Sequence, residues 1–248
     1  MSLLGKLFMG GPTHEEKVAA AYKGYRPELV NSIFPGGKKQ ASNIITSLAK
    51  VYGKNLNSLD AKQYYEILQT YSDIVVRKII TQSTDSHIIT SLQVNHGNLV
   101  PNKDIARKAL AYVTINMSNH DFVLDSEESM STLELMIDAF EQMESMASAN
   151  AGVENKYVDD PEYGLVPSKP IYTQGVNGSN RYLAGLCSIT GEQLTWNRKG
   201  SMSIVGVTGV VDVYESTLPS GKEYKTLYLN MYGSSNSTNI PKGFKKKG

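Results

Sequence analysis

Two periodicities divide this chain. From His14 to about Met146, apolar residues recur at three- and four-residue steps. Beyond Pro170 they alternate with polar residues over short runs separated by turn-forming residues. The first pattern predicts helices. Val18, Ala21, Tyr22 and Tyr25 share one face of a helix that Thr13 can cap, and Arg26-Pro27 ends it or starts another turn. After the break at Phe34-Pro35-Gly36-Gly37, a second helix covers Lys38 to Tyr52, with Ala41, Ile44, Ile45, Leu48, Val51 and Tyr52 as its stripe and Gly53 placed to end it. Asp60 to Thr81 is the longest pattern in this part, with Tyr64, Ile67, Leu68, Tyr71, Ile74, Val75 and Ile79 on one side. Residues Asp85 to Val100 combine a short helical signal at Ile88, Ile89 and Leu92 with a loop signal at Asn95-His96-Gly97-Asn98. Pro101-Asn102 opens a further helix to about Met117. Asp125 and Glu128 have the spacing of a capping box before a helix that carries Leu133, Met136, Ile137, Phe140 and Met143 on one face.

Pro161, Pro167 and Pro170 mark where the period changes, so 157–169 reads as a linker or domain edge. Past it, Pro170 to Thr173 reads as an edge strand and Gln174 to Asn180 as a loop. Arg181 to Ile189 and Glu192 to Arg198 read as strands paired through Thr190-Gly191, and Ser201 to Thr208 as another. The strongest local signal is a hairpin of Gly209–Thr217 and Glu223–Tyr232 about Leu218-Pro219-Ser220-Gly221, where proline presets an early turn position and glycine accepts positive φ. The expected class is α+β: an all-α domain over 1–156, then a small antiparallel β domain, a sandwich or open barrel, over 170–248 with a short basic tail.

The 248 residues suffice for two modest cores. A formal net charge of +1 gives no bulk reason to invoke nucleic acid or a basic partner. The single cysteine, Cys187, precludes an internal disulfide framework and fits a reducing cytoplasm. No apolar run reaches the roughly 18–20 residues that span a bilayer, and Leu3, Leu4, Leu7 and Phe8 make at most one amphipathic turn.

Candidate chemistry is sparse. His87, His96 and His120 are scattered and form no HxH, HExxH or HxxxH pair, so neither a metal nor a cofactor is expected. Cys187 has apolar neighbours and is expected to be buried and inert. Gly36-Gly37-Lys38-Lys39 precedes a helix and could hold an anion, but lacks the P-loop spacing. The best polar-aromatic group is Asn177, Asn180, Arg181, Trp196 and Arg198. Tryptophan supplies a stacking face and arginine planar donors for a carboxylate, phosphate or base, unless Trp196 simply anchors the β core. Met130, Met136, Met143 and Met146 give the last helix an adaptable apolar surface, the expected place for a protein partner or a second copy if the stripe is not wholly internal.

One stretch is familiar. Tyr163–Tyr172, Asn177–Ser179, Val211–Glu215, Leu227–Tyr232 and Ile240–Phe244 together resemble a module of uncharacterised bacterial proteins, across about the last third of the chain. That resemblance implies no activity and no catalytic residues. The function expected from sequence is a cytoplasmic, non-catalytic binding or interaction protein. The alternatives are an enzyme acting on a phosphate- or carboxylate-bearing ligand near Asn177, Arg181 and Arg198, or a nucleic-acid-binding module using the basic tail.

Overall fold

The computed structural model describes residues 11–25, 31–153, 156–157 and 159–247. Leu3, Leu4, Leu7, Phe8, Arg26 and Pro27 lie outside them. The chain is α+β, with helices first and strands later, and it divides into two compact units, Met1–Asp138 and Ala139–Gly248.

The first unit is helical. α1 (His14–Lys23) starts at a reciprocal Thr13–Glu16 capping box. α2 (Gly37–Val51) is followed by a turn in which Gly53 adopts φ +64. α3 (Ala61–Ile79) is capped by Asp60 and Gln63. The ambiguous segment resolves into α4 (Asp85–Asn95), because the Thr84 side chain caps it and Ile88, Ile89 and Leu92 are buried. α5 (Lys103–Ser118) is capped by Asn102. α6 (Glu127–Asn150) begins in the first unit and ends in the second. Its start is fastened by Ser126 and Ser129, whose side chains accept each other's backbone N–H at 3.2 and 3.1 Å, and not by the Asp125–Glu128 pair expected from spacing.

The apolar stripes explain the packing. α1 lies on α2 and α3, α2 and α3 each meet α5, and α4 lies on α5. Ile44, Leu48, Ile67, Ile74, Leu92, Leu110 and Val113 are fully buried there. A polar group sits inside this core. Asn116 accepts from Gln40 Nε2 and from the Tyr71 hydroxyl, both at 3.0 Å, and donates to the carbonyls of His120 and Phe122. Burial pushes the Tyr71 hydroxyl up to about 12, partly offset by Gln40, and pushes Tyr52 and Tyr112 higher still. In the unfolded chain these phenols ionise near pH 10. The folded state therefore holds more protons above that pH, and stability intact below pH 10 falls as pH rises toward about 12. A pH titration should show the last part of the tyrosinate absorbance rising together with loss of helical circular dichroism; complete ionisation of all 15 tyrosines with the helical signal intact would show that these hydroxyls are accessible.

In the second unit, the expected hairpin is present. β4 (Val210–Thr217) pairs antiparallel with β5 (Glu223–Asn230), and Gly221 takes φ +83 as its N–H donates to Leu218 O at 2.9 Å. β3 (Thr195–Ser203) is one strand where two were expected, because a bulge between Arg198 and Gly200 lets it continue along β4. β1 (Ile171–Tyr172) pairs parallel with β5, giving the order β1-β5-β4-β3. β2 (Leu186–Ser188) pairs with β6 (Phe244–Lys246) as a separate two-stranded sheet. Gln174 to Asn180 is not a loop, nor does Arg181 begin a strand: α7 (Gly175–Ala184) occupies the segment. Its glycines and asparagines are poor helix formers. Long-range contacts override them: Leu183 is buried, Ser179 Oγ meets Thr173 Oγ1 at 2.7 Å, and the Tyr182 hydroxyl donates to Asn239 O at 2.6 Å.

Candidate functional site

The residues singled out in sequence do not form one group. Asn177, Asn180 and Arg181 stand on α7, which leaves β1 at one edge of the four-stranded sheet, whereas Trp196 and Arg198 stand on β3 at the other edge. Trp196 stacks on Phe244 with ring centroids 5.9 Å apart and packs against the β core. Arg198 donates to the buried Asp212 carboxylate at 2.8 Å, and Ser201 donates to the same oxygen at 2.6 Å. That pairing holds the guanidinium's pKa above its ordinary value and neutralises its charge. Arg181 is exposed. At the start of α7, Asn236 Oδ1 accepts the Gln174 N–H at 2.7 Å and sits against Gly178, so a side chain of the same unit already fills that helix end. Gly36 N–H, at the start of α2, is likewise taken by Gln40 Oε1 at 2.9 Å. Cys187 is buried, with its thiol directed at Lys245 O. On α6, Leu133 and Phe140 are buried, Met130, Met136, Met143 and Met146 are half-buried, and Leu135 is 71% exposed.

The structure draws attention to a cleft in the helical unit that the sequence did not single out. Tyr65, Glu66, Gln69, Ser72 and Asp73 follow helical spacing along one side of α3. The last residues of α4 and the turn after it, from Val94 to Leu99, form another part of the lining, and Tyr25 beyond the end of α1 adds to it. Together they line an open cleft of ≈ 820 Å³, within the size range of small-molecule sites. The turn is fixed from within: His96 O accepts from Leu99 and Val100 at 2.9 and 2.8 Å, and Leu99 and Val100 are buried.

Two polar atoms of this cleft are buried without a hydrogen-bond partner, Asp73 Oδ2 and the Tyr25 hydroxyl. Asp73 Oδ1 is satisfied by Arg77 Nε at 3.0 Å, while Oδ2 has only His96 Nε2 at 3.5 Å, too long for a good hydrogen bond. Burial pushes the Tyr25 hydroxyl's pKa up, and the neighbouring Ser72 hydroxyl offsets a little of that. Ser72 itself donates back to Leu68 O at 2.8 Å, so toward Tyr25 its oxygen can only accept. Tyr25 and Tyr65 lie side by side, ring centroids 5.6 Å apart, and Tyr25 meets Phe34 edge-on at 5.2 Å. Gly24 permits this arrangement, since a Cβ there would stand 2.6 Å from the Tyr65 ring. The result is a rigid aromatic wall beside an under-satisfied carboxylate, an environment that accepts a donor. The sequence signal was the polar side of α3 combined with His96, and the spacing alone does not show that the two converge.

Among the described residues, no three of His, Cys, Asp or Glu converge as a metal site would, and no helix is long and apolar enough to cross a membrane. No protein-family model, curated protein or solved structure matches the chain.

Proposed function

We propose that the protein is a cytoplasmic, non-catalytic binding protein and that its ligand occupies the cleft between α3 and the turn after α4. The observation that carries this reading is the pair of buried polar atoms without a hydrogen bond, Asp73 Oδ2 and the Tyr25 hydroxyl, in residues that line a cleft of ≈ 820 Å³. A buried polar group left without a partner costs about 1–3 kcal/mol, and a ligand that supplies the partner recovers that energy. The β unit is the weaker place for a ligand, because Arg198 is neutralised by Asp212 and Arg181 starts from the other edge of the sheet. The single, buried Cys187 supports the cytoplasm. The resemblance of 163–244 to a module of bacterial proteins supports a bacterial source.

Gln69 lines the cleft from an exposed position on α3, so Gln69→Trp should fill the site with little effect on folding. A ligand at a hundred times its Kd stabilises by about 2.7 kcal/mol, or roughly 8 °C in a unit of this size. A thermal-shift screen of charged and neutral small molecules should yield such shifts for the natural chain and none for Gln69→Trp. Shifts that survive Gln69→Trp would place the ligand elsewhere.

A further inference from the structure

We infer that the ligand of this cleft is an extended aliphatic amine with two cationic nitrogens, a polyamine-like molecule; the inference rests on the cleft being the ligand site. Charge comes first. The lining contains two carboxylates, Glu66 and Asp73, and neither lysine nor arginine. Arg77 reaches Asp73 from outside the lining and engages only Oδ1, and Lys62 lies 3.7 Å from Glu66 with an 82% exposed side chain. His96 also lines the cleft, 3.5 Å from Asp73 Oδ2. An anion would meet two carboxylates with no lysine or arginine in the lining to answer them, whereas a cation meets two acceptors.

The walls agree with this sign. Tyr25 and Tyr65, their rings tilted at 47° with centroids 5.6 Å apart, line the cleft together with Asp73. Aromatic faces attract ammonium groups and also shelter an alkyl chain. Gln69, Asn95 and Asn98 add side-chain carbonyl oxygens that can accept further N–H bonds.

Length comes from the helix. Glu66 and Asp73 are seven residues apart, two turns along the same side of α3, or about 10.5 Å of helical rise. Gln69 lies between them. A single ammonium group can reach one carboxylate only. A chain of about that length, lying along α3, puts a nitrogen at each end.

Isothermal titration calorimetry on the full chain tests this with octamethylenediamine, octylamine, octanediol and magnesium chloride as probes. The diamine should bind most tightly, octylamine more weakly, and octanediol and magnesium not measurably. Asp73→Asn should weaken the diamine by about tenfold, the usual effect of losing one charge-assisted hydrogen bond. Because Asp73 also holds Arg77, that variant's melting is checked alongside. Glu66→Gln, at a half-exposed position, should reduce the diamine to the level of octylamine and leave octylamine unchanged. Octanediol binding as well as the diamine would overturn the inference, as would magnesium displacing the diamine or both variants keeping the original Kd. If no amine binds while ligands of another charge lose their thermal shift in Gln69→Trp, the amine is wrong and the binding site stands. If nothing binds that Gln69→Trp abolishes, the site itself falls.

Discussion

Asn116→Leu is expected to lower the stability of the helical unit by about 3 kcal/mol, a fall of roughly 10 °C in Tm. Leucine has the branching of asparagine and is the larger of the two, so no cavity accounts for the loss. Asn116 is fully buried and joins α5 to α2 and α3 through its amide. Leucine removes the acceptor used by Gln40 Nε2 and by the Tyr71 hydroxyl, together with the donor to His120 O. Gln40 Nε2 still donates to the Tyr71 hydroxyl at 3.2 Å, but both lose their bond to Asn116, and the His120 and Phe122 carbonyls lose its donor; a group left unsatisfied costs about 1–3 kcal/mol, offset by about 1–2 kcal/mol from the apolar side chain. Tyr71→Phe is the companion variant. It removes one hydroxyl and keeps the Gln40–Asn116 bond, so it should cost about 1 kcal/mol. Denaturant melts followed by helical circular dichroism separate the cases. An Asn116→Leu chain at least as stable as the natural one would mean that the network specifies helix register without adding stability.

This network marks the limit of what the sequence discloses. The helices were legible because their stripes obey one period over many residues, as in α3 from Tyr64 to Val75, and because caps such as Thr13 and Asp60 are local chemistry. The hairpin was legible for the same reason, since Pro219 and Gly221 sit between its strands. Gln40, Tyr71 and Asn116 meet across 76 residues of chain, and no period encodes a meeting of three polar side chains. The cleft is of that kind as well: Asp73 and His96 are 23 positions apart and belong to different elements. α7 was missed for another cause. Its helix is imposed by Tyr182, Ser179 and Leu183 against the rest of the β unit, in a sequence whose own preference is for turns. The functional expectation leaned on Trp196 and Arg198 because they are chemically conspicuous, and the structure spends both on packing and charge neutralisation.

Gly164→Val should destabilise the β unit by about 2–5 kcal/mol. Gly164 stands at φ +70, where a β-branched residue is strained by about 1–2 kcal/mol. Space is also lacking. A Cβ at this position would lie 2.6 Å from Ile171 Cδ1 and 3.1 Å from Pro241 Cγ. Ile171 is fully buried on β1 and has no room to move aside, so overpacking adds about 1–3 kcal/mol. The backbone here cannot relax freely either. Gly164 N–H donates to Lys169 O at 2.8 Å, and Gly164 O accepts from Tyr228 on β5 at 2.9 Å. A shift that relieves valine therefore pulls on the β5 ladder. Trp196 is the only tryptophan and lies in this unit, so its fluorescence follows the β unit during denaturation. The fluorescence midpoint should fall steeply in Gly164→Val and by less in Gly164→Ala, which keeps the positive-φ strain but carries a smaller group. At Gly221, where φ is +83 and a Cβ meets nothing within 4 Å, alanine should show the backbone strain alone. Equal midpoints for Gly164→Val and Gly221→Ala would show that the contact with Ile171 is not tight and that backbone strain is the whole effect.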